Sequence, residues 1–184
     1  MKRGLRDRVG LSVFDKRVPS ASEYIRETEG APMPTEKDEL MRMVEHFSLI
    51  RPFNRHLGLT PDSMDIENGC VRFAMREELK GNTVYGTLHG GVISSILDIA
   101  GGFVVFLDLY RRMKDQPLEK LMERFARIST IDLRTDYLRP GIGKSFVASG
   151  FILRTGNKVA VVRTELRNDE GILIAVGTAS YIVG

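Results

Sequence analysis

Residues Thr87 to Gly102 read TLHGGVISSILDIAGG and open a segment that stays almost wholly apolar as far as Tyr110. A helix that is apolar on nearly every side is either buried in a core or lies in a membrane. Asp98 in its middle argues against a membrane, because a carboxylate there needs a partner or a function. The sequence therefore predicts a long central helix that is buried in the protein.

One face of this predicted helix consists of small and polar residues, which share it at about 100° per residue. Such a face can pack closely against another element or leave room for a substrate, and both interpretations stay open. An unpaired carboxylate in an apolar site is costly, which favours a functional role for Asp98. The residues of this face are Gly91, Ser94, Ser95, Asp98, Gly101 and Gly102.

The predicted helix starts with two glycines, Gly90 and Gly91, directly after His89. The first amides of a helix have no partner within it, and such N–H groups can stabilise a developing negative charge. Amide donors at one end of the helix and a carboxylate about two turns further on indicate a site for acyl chemistry.

Two motifs carry a resemblance to a known family. The HGG sequence at His89, with Asp98 nine residues after the histidine, resembles the central helix of hotdog-fold thioesterases of the phenylacetate-pathway type. The run TIDLRTDYLRP from Thr130 to Pro140 resembles the strand that follows this helix in the same family. The resemblance extends roughly over 53–184, and the chain looks most similar to bacterial enzymes that act on medium- to long-chain acyl-CoA.

This resemblance implies an α+β hotdog fold, an antiparallel sheet wrapped around the central helix, and hydrolysis of an acyl-CoA to a free acid and CoA. Asp98 would act as general base or as nucleophile, and the amide of Gly90 or Gly91 would polarise the thioester carbonyl. The resemblance places these two groups on different subunits of a homodimer, and two such dimers would form a homotetramer. His89 and Asp98 indeed fall on opposite faces of one helix, so His89 is predicted to start the helix or contact the carbonyl.

The resemblance also implies roles for residues outside the helix. Thr130 matches a position that orients the attacking water, although a threonine in a strand is also ordinary β composition. Asn82 or Thr83, in the loop before the helix, would hold the thioester end of the substrate, and Ser95 is a further candidate for substrate contact. A hairpin tip with Arg154, Asn157 and Lys158 would lie near the CoA phosphates, and the alternative is that these side chains are simply solvated.

Length and composition limit the number of domains, the partners and the compartment that we expect. The chain has 184 residues, a net charge of +3 and a single cysteine, Cys70. This length favours one domain, and the charge is too low for a typical nucleic-acid binder. One cysteine excludes an internal disulfide and any site with several cysteine ligands, and it fits a reducing compartment. We therefore expect a cytoplasmic protein with no metal, no cofactor apart from the CoA of its substrate, and neither nucleic acid nor membrane as a partner.

The remaining elements follow from periodicity and turn signals. Residues 1–34 are predicted to be an N-terminal extension of unknown role, and 35–184 the hotdog domain. A helix is predicted from Thr35 to the break at Pro52, and an inserted helix over 115–128, capped by Asp115. The inserted helix could cover the acyl pocket, lie in a subunit interface or be a plain surface helix. Strands are predicted at 57–60, 70–75, 130–138, 145–153, 158–167 and 172–183.

Rival functions find less support in the sequence. It contains no GxSxG motif, and one cysteine gives no indication of a cysteine–histidine pair, so serine and cysteine hydrolase chemistry is not indicated. A non-catalytic acyl-CoA-binding domain on the same fold remains the main alternative, because fold does not determine function. A purely structural dimerisation domain is the third class.

Overall fold

A computed structural model describes residues 63–184 without interruption, together with 52–60 and the four positions Asp38, Leu40, Met43 and Val44. These four residues are helical, and Met43 and Val44 are buried, in agreement with the helix predicted from Thr35. The predicted extension 1–34 lies outside the described residues, as do Phe47 and Ile50 on the apolar face of that helix.

The described helices differ greatly in length. α1 is a single turn at Pro52–His56, α2 is the central helix Gly90–Met113, and α3 is the inserted helix Leu118–Ala126. A short 3₁₀ helix, Glu77–Leu79, precedes the loop that leads into α2. The 24 residues of α2 span about 36 Å, enough to run beneath a whole sheet.

In the described part of the chain, eight strands form two antiparallel sheets. The large sheet has the order β1-β2-β6-β7-β8-β5, and a small sheet pairs β3 with β4. Short Gly-containing turns join β6 to β7 and β7 to β8, as the turn signals predicted. The strands are Met64–Asp65, Cys70–Ala74, Lys80–Asn82, Thr87–Leu88, Ser129–Tyr137, Ser145–Thr155, Val159–Asn168 and Leu173–Ile182.

The large sheet wraps around α2 and buries it. Fourteen residues of α2 are buried, among them Phe103 and Phe106, and the ring of Phe106 packs against that of Phe125 in α3. Sheet and helix lie close together at Gly150 of β6, where a Cβ atom would lie 2.8 Å from the backbone oxygen of Ala100. This arrangement is the hotdog fold that the sequence predicts.

By length and composition α2 could also cross a membrane, but 67% of its 18-residue apolar segment is buried inside the fold. A buried core helix can be as apolar as a membrane-spanning helix, because the sheet provides the apolar environment that a bilayer would otherwise supply.

Two details of the predicted elements are wrong. Residues 57–60 form turns and irregular structure instead of a strand, because the chain leaving α1 turns at Gly58, which has a φ of 78°. Pro52 begins the helix α1, since proline is well suited to a first helical position, and the end of the helix predicted before it lies outside the described residues. Pro117, and not Asp115, occupies the N-cap position of α3, and no side chain caps that end.

A β-bulge in β5 changes which of its side chains face the helix. The register against β8 shifts between Thr130 and Asp132, so that Ile131 is the extra residue. Thr130 pairs with Tyr181 and faces α2, whereas Asp132 pairs with Ser180 on the outer face. Simple alternation would have placed Thr130 and Asp132 on the same side, so the bulge is what turns Thr130 towards the helix.

Candidate active site

Asp98 lies in the middle of α2, half-buried, and its carboxylate is held by two hydroxyl groups. Thr130 Oγ1 donates to Asp98 Oδ1 over 2.8 Å, and the hydroxyl of Tyr181 donates to the same oxygen over 3.2 Å. Within the described part of the chain, Oδ2 receives no hydrogen bond. The carboxylate is therefore fixed through one oxygen and has the other available for chemistry.

Tyr181 reaches Asp98 because α2 has a glycine where the two elements cross. The tyrosine is 1% exposed, and its hydroxyl also donates to the backbone oxygen of Asp98 over 2.9 Å. A Cβ atom on Gly101 would lie 2.2 Å from that hydroxyl oxygen. Part of the small-residue face thus accommodates a strand side chain, which corresponds to the close-packing interpretation of that face.

The other part of the small-residue face borders a pocket. A cavity of about 390 Å³ opens beside Asp98, between α1, α2 and the start of β5. Its wall combines apolar side chains with a few polar groups, as is usual for sites that bind small molecules. The lining residues are Pro52, Phe53, Asn54, Asp98, Ile99, Gly102, Ile128, Ser129, Thr130 and Tyr181.

The N-terminus of α2 offers one available amide. His89 is the N-cap residue, and its Nδ1 accepts a hydrogen bond from the Gly91 amide over 2.9 Å. The Gly90 amide makes no hydrogen bond to any residue that the structure describes. Of the two predicted donors, Gly90 is therefore the one that can bind a developing oxyanion, and His89 serves as a cap.

Asp98 and Gly90 do not meet within one chain. They lie eight residues apart on α2, which corresponds to about 12 Å along the helix axis. Gly90 instead lies at the far end of β5, where Tyr137 donates a hydrogen bond from its hydroxyl to the Gly90 carbonyl over 3.0 Å. Thr130 marks one end of β5 beside the carboxylate, and Tyr137 marks the other end beside the amide.

The candidates for holding the thioester end make mainly local contacts. Asn82 Oδ1 accepts from the amides of Val84 and Tyr85, which stabilises the loop before β4, and Thr83 is exposed in this loop. Ser95 donates to the carbonyl of Gly91 over 2.7 Å and so turns back onto its own helix. A substrate role for these three residues stays a prediction.

Arg154, Asn157 and Lys158 lie at or beside the β6–β7 hairpin tip, and all three are exposed. The tip lies at the same end of the sheet as the pocket, since Val159 pairs with Ile182 and Ile182 pairs with Ser129. Two strand spacings, about 10 Å, separate it from β5. Arg124 of α3 donates to the backbone oxygen of Asn157 over 2.9 Å, so the inserted helix supports this hairpin.

Cys70 and metal chemistry play no visible part in this site. Cys70 is 2% exposed, and burial raises the pKa of its thiol, which keeps it in the neutral, unreactive form. Among the described residues, no group of three His, Cys, Asp or Glu side chains is arranged to hold a metal ion.

Three residues at the site escaped the sequence-based prediction. Tyr181 and Tyr137 come from strands that read as ordinary β composition, and Asn54 comes from a short segment without periodicity. The glycines at Gly101 and Gly102 could have indicated that a bulky side chain crosses α2, but no pattern identified which one. Nothing in the sequence singles out Asn54.

Comparisons with known proteins agree on one family. The model of the thioesterase superfamily matches residues 85–175, which include His89, Asp98 and Thr130. The medium/long-chain acyl-CoA thioesterase YigI of Escherichia coli K12 is 43% identical over 82% of this chain and 97% of its own length. Its counterpart in Salmonella typhimurium is 42% identical over the same shares. A crystal structure from Shewanella oneidensis, related to the thioesterase superfamily, superposes with a TM-score of 0.73 at 40% identity, covering 82% of this chain and 99% of that one.

Proposed function

Because this chain belongs to the thioesterase superfamily, we propose that it hydrolyses acyl-CoA thioesters to a free acid and CoA, with a preference for medium or long acyl chains. The observation that carries the proposal is the Asp98 carboxylate, held through one oxygen by Thr130 and Tyr181 at the wall of a pocket. The name of the relative YigI supports the chain length, and the HGG motif with Asp98 supports a place in the phenylacetate-pathway type of the superfamily.

Asp98 supplies the group that starts the reaction. As a general base, its free oxygen Oδ2 removes a proton from water, and the water oxygen attacks the thioester carbonyl carbon. As a nucleophile, the same oxygen attacks the carbon and forms a mixed anhydride that water then hydrolyses. In both cases Thr130 and Tyr181 keep the carboxylate in one orientation, which reduces the entropy lost on reaching the transition state.

The oxyanion is stabilised by the Gly90 amide of a second copy of the chain. β5 is an edge strand of the large sheet. If two copies of the chain pair along this edge about a two-fold axis perpendicular to the strand, their two β5 strands run antiparallel. The Tyr137 end of one β5 would then lie beside the Thr130 end of the other. Gly90, which Tyr137 contacts, would thereby approach the Asp98 pocket of the partner.

Exposed apolar side chains support this interface. Ile131 is 52% exposed, Tyr137 54% and Leu138 48%, all on or directly after the edge strand. A long unpaired edge with apolar side chains is normally covered in a native protein. In β6, Phe151 and Leu153 are exposed as well and would join two such dimers into a tetramer.

The two ends of the substrate have separate binding regions in this proposal. The acyl chain lies in the pocket against Phe53, Ile99 and Ile128, whose side chains offer an apolar wall. The CoA phosphates lie near the cationic hairpin tip with Arg154, Asn157 and Lys158. In this proposal Asn82, Thr83 and Ser95 contact the pantetheine arm near the thioester.

Hydrolysis of an acyl-CoA series by the wild type and by Asp98→Asn tests the proposal. Loss of the base or nucleophile lowers kcat by about 10²- to 10⁴-fold, while KM changes little because the pocket keeps its shape. The matched control is Asp65→Asn, in β1 at the edge of the large sheet opposite β5, which removes a carboxylate far from the pocket and from the proposed dimer edge. Binding of acyl-CoA without turnover by the wild type would identify a binding domain instead, and neither binding nor turnover a structural one.

A further inference from the structure

Gly102 leaves a gap in the wall that α2 contributes to the Asp98 pocket. It lies four residues after Asp98, about 6 Å further along the helix axis, and both residues line the cavity. Among the described residues, a Cβ atom on Gly102 would meet only the ring of Tyr181 within 4 Å, at an ordinary contact distance of 3.7 Å. A side chain at this position would therefore occupy space in the cavity.

The neighbouring Gly101 shows that such space does not accompany every glycine of α2. A Cβ atom on Gly101 would overlap the hydroxyl of Tyr181, so the tyrosine already fills the place of that side chain. Tyr181 is not free to fill the space beside Gly102 as well, because its hydroxyl is bound to the backbone oxygen and the carboxylate of Asp98. Gly101 is thus a packed position and Gly102 an open one.

Beyond Gly102, α2 no longer lines the cavity. Phe106, four residues further on, is 2% exposed, and its ring packs against that of Phe125 in α3 with 4.4 Å between the ring centroids. The part of α2 that lines the cavity therefore begins at Asp98 and ends at Gly102, and aromatic packing follows.

The cavity offers an alkyl chain a path away from the carboxylate. Thr130 and Tyr181 both donate to Asp98, so these polar groups gather at one place. Ile99 and Ile128 line the same cavity with apolar side chains. In the proposed reaction the thioester carbon lies at Asp98, and the acyl chain extends from it along the apolar wall, because contact with that wall removes its methylene groups from water.

We infer that Gly102 sets the depth of the acyl pocket and so limits the length of the acyl chain that the protein hydrolyses efficiently. This inference rests on the proposed function and names the residue behind its preference for medium or long chains. Helical side chains point back along the helix towards its N-terminus. A larger residue in place of Gly102 would therefore lean towards Asp98 and shorten the space that starts at the carboxylate.

Gly102→Ala and Gly102→Val in the full-length protein test this inference, with kcat/KM measured over a series from butanoyl-CoA to palmitoyl-CoA. We expect kcat/KM for palmitoyl-CoA to fall about tenfold in Gly102→Ala and about 100-fold in Gly102→Val, as expected when methyl groups are added to an apolar pocket. For butanoyl-CoA we expect a change of less than about threefold, because its chain ends before the added groups. The preferred chain length thus becomes shorter in both variants.

Gly101→Ala is the matched control, because it adds the same methyl group one residue away. Its Cβ atom displaces Tyr181 from Asp98, so kcat/KM should fall by a similar factor for every chain length. The Tm of Gly102→Ala should equal or exceed that of the wild type, because alanine favours the helix and meets only an ordinary contact. A selective loss of long-chain activity at such a Tm does not arise from unfolding.

The outcomes separate this inference from the proposed function. An unchanged chain-length profile in Gly102→Ala overturns the inference, as do equal losses for short and long chains, and Gly102→Ala decides alone if Gly102→Val does not fold. Weaker inhibition by free CoA in Gly102→Ala overturns it too, since the cavity would then hold the pantetheine arm. A wild type that hydrolyses no acyl-CoA, or an Asp98→Asn variant of normal activity, would instead overturn the proposed function, and the inference with it.

Discussion

A single oxygen of Asp98 receives both hydroxyl hydrogen bonds, and this asymmetry determines how the residue can act. Because Thr130 and Tyr181 both donate to Oδ1, they fix the plane of the carboxylate. The oxygen Oδ2 then has a fixed direction relative to the pocket. The two hydroxyl groups thus position the carboxylate, whereas the chemistry belongs to Asp98 itself.

Replacing Thr130 measures this positioning. Thr130→Val keeps the shape of the side chain but removes the hydroxyl, and we expect kcat to fall about tenfold because the carboxylate gains rotational freedom. Thr130→Ser keeps the hydroxyl and should lose far less. Steady-state kinetics with one acyl-CoA give both values. Equal losses in the two variants would contradict the prediction, since the methyl group and not the hydroxyl would then matter.

At the level of the elements, the crossing of α2 and β8 depends on one glycine. Gly101→Ala would place its Cβ atom 2.2 Å from the Tyr181 hydroxyl oxygen, so the tyrosine must move away from Asp98. We expect a destabilisation of about 1–3 kcal/mol in urea unfolding, as for other overpacked cores, together with a loss of activity.

Gly102 provides the matched comparison for stability. A Cβ atom there meets Tyr181 only at 3.7 Å, an ordinary contact, so the helix propensity of alanine dominates. Gly102→Ala should therefore be neutral or stabilising by up to about 1 kcal/mol. If both variants destabilise the protein equally, this part of α2 needs glycine at both positions, and room for the Tyr181 side chain is not the reason.

The central helix was predictable because its signal is local. Its apolar run, its polar exception at Asp98 and its start at His89 all lie within one stretch, and the structure places α2 over Gly90–Met113. The strands after Ser129 were predictable for the same reason, since alternation and glycine turns are short-range patterns.

The contacts around Asp98 were not predictable from the residues alone, because they depend on distant register. The bulge at Ile131 turns Thr130 towards α2, and Tyr181 is separated from Asp98 by 83 positions in the chain. The resemblance to a family identified Thr130, but simple alternation would have placed it on the outer face. Asn54 is positioned by α1, a single turn whose neighbour, 57–60, was itself predicted wrongly as a strand.

For the whole molecule, the proposed dimer depends on a backbone amide that can be removed without disturbing the helix. Gly90 is the first residue of α2, where proline is favoured, and His89 before it has the extended conformation that proline requires. Gly90→Pro therefore deletes the N–H at little cost to folding. Gly90→Ala adds a Cβ atom in ordinary contact with Tyr137 at 3.6 Å and keeps the N–H.

We expect Gly90→Pro to lower kcat by about 10²- to 10³-fold, as loss of one oxyanion donor does elsewhere, and Gly90→Ala to lose far less. The subunit assignment is then tested with heterodimers of Gly90→Pro and Asp98→Asn chains, each with a different affinity tag and purified through both. If the amide and the carboxylate come from different chains, one of the two sites in each heterodimer is intact. The heterodimer should then show about half of the wild-type activity, although each variant alone is nearly inactive.

An inactive heterodimer would mean that the two groups act within one chain, where the helix geometry places them on well-separated turns of α2. A wild type that hydrolyses acyl-CoA as a monomer in sedimentation velocity would exclude the proposed interface directly. Recovery of activity, by contrast, follows only if Gly90 of one copy reaches Asp98 of the other. That geometry is what a two-fold pairing along β5 produces, since it brings the Tyr137 end of one edge strand beside the Thr130 end of its copy.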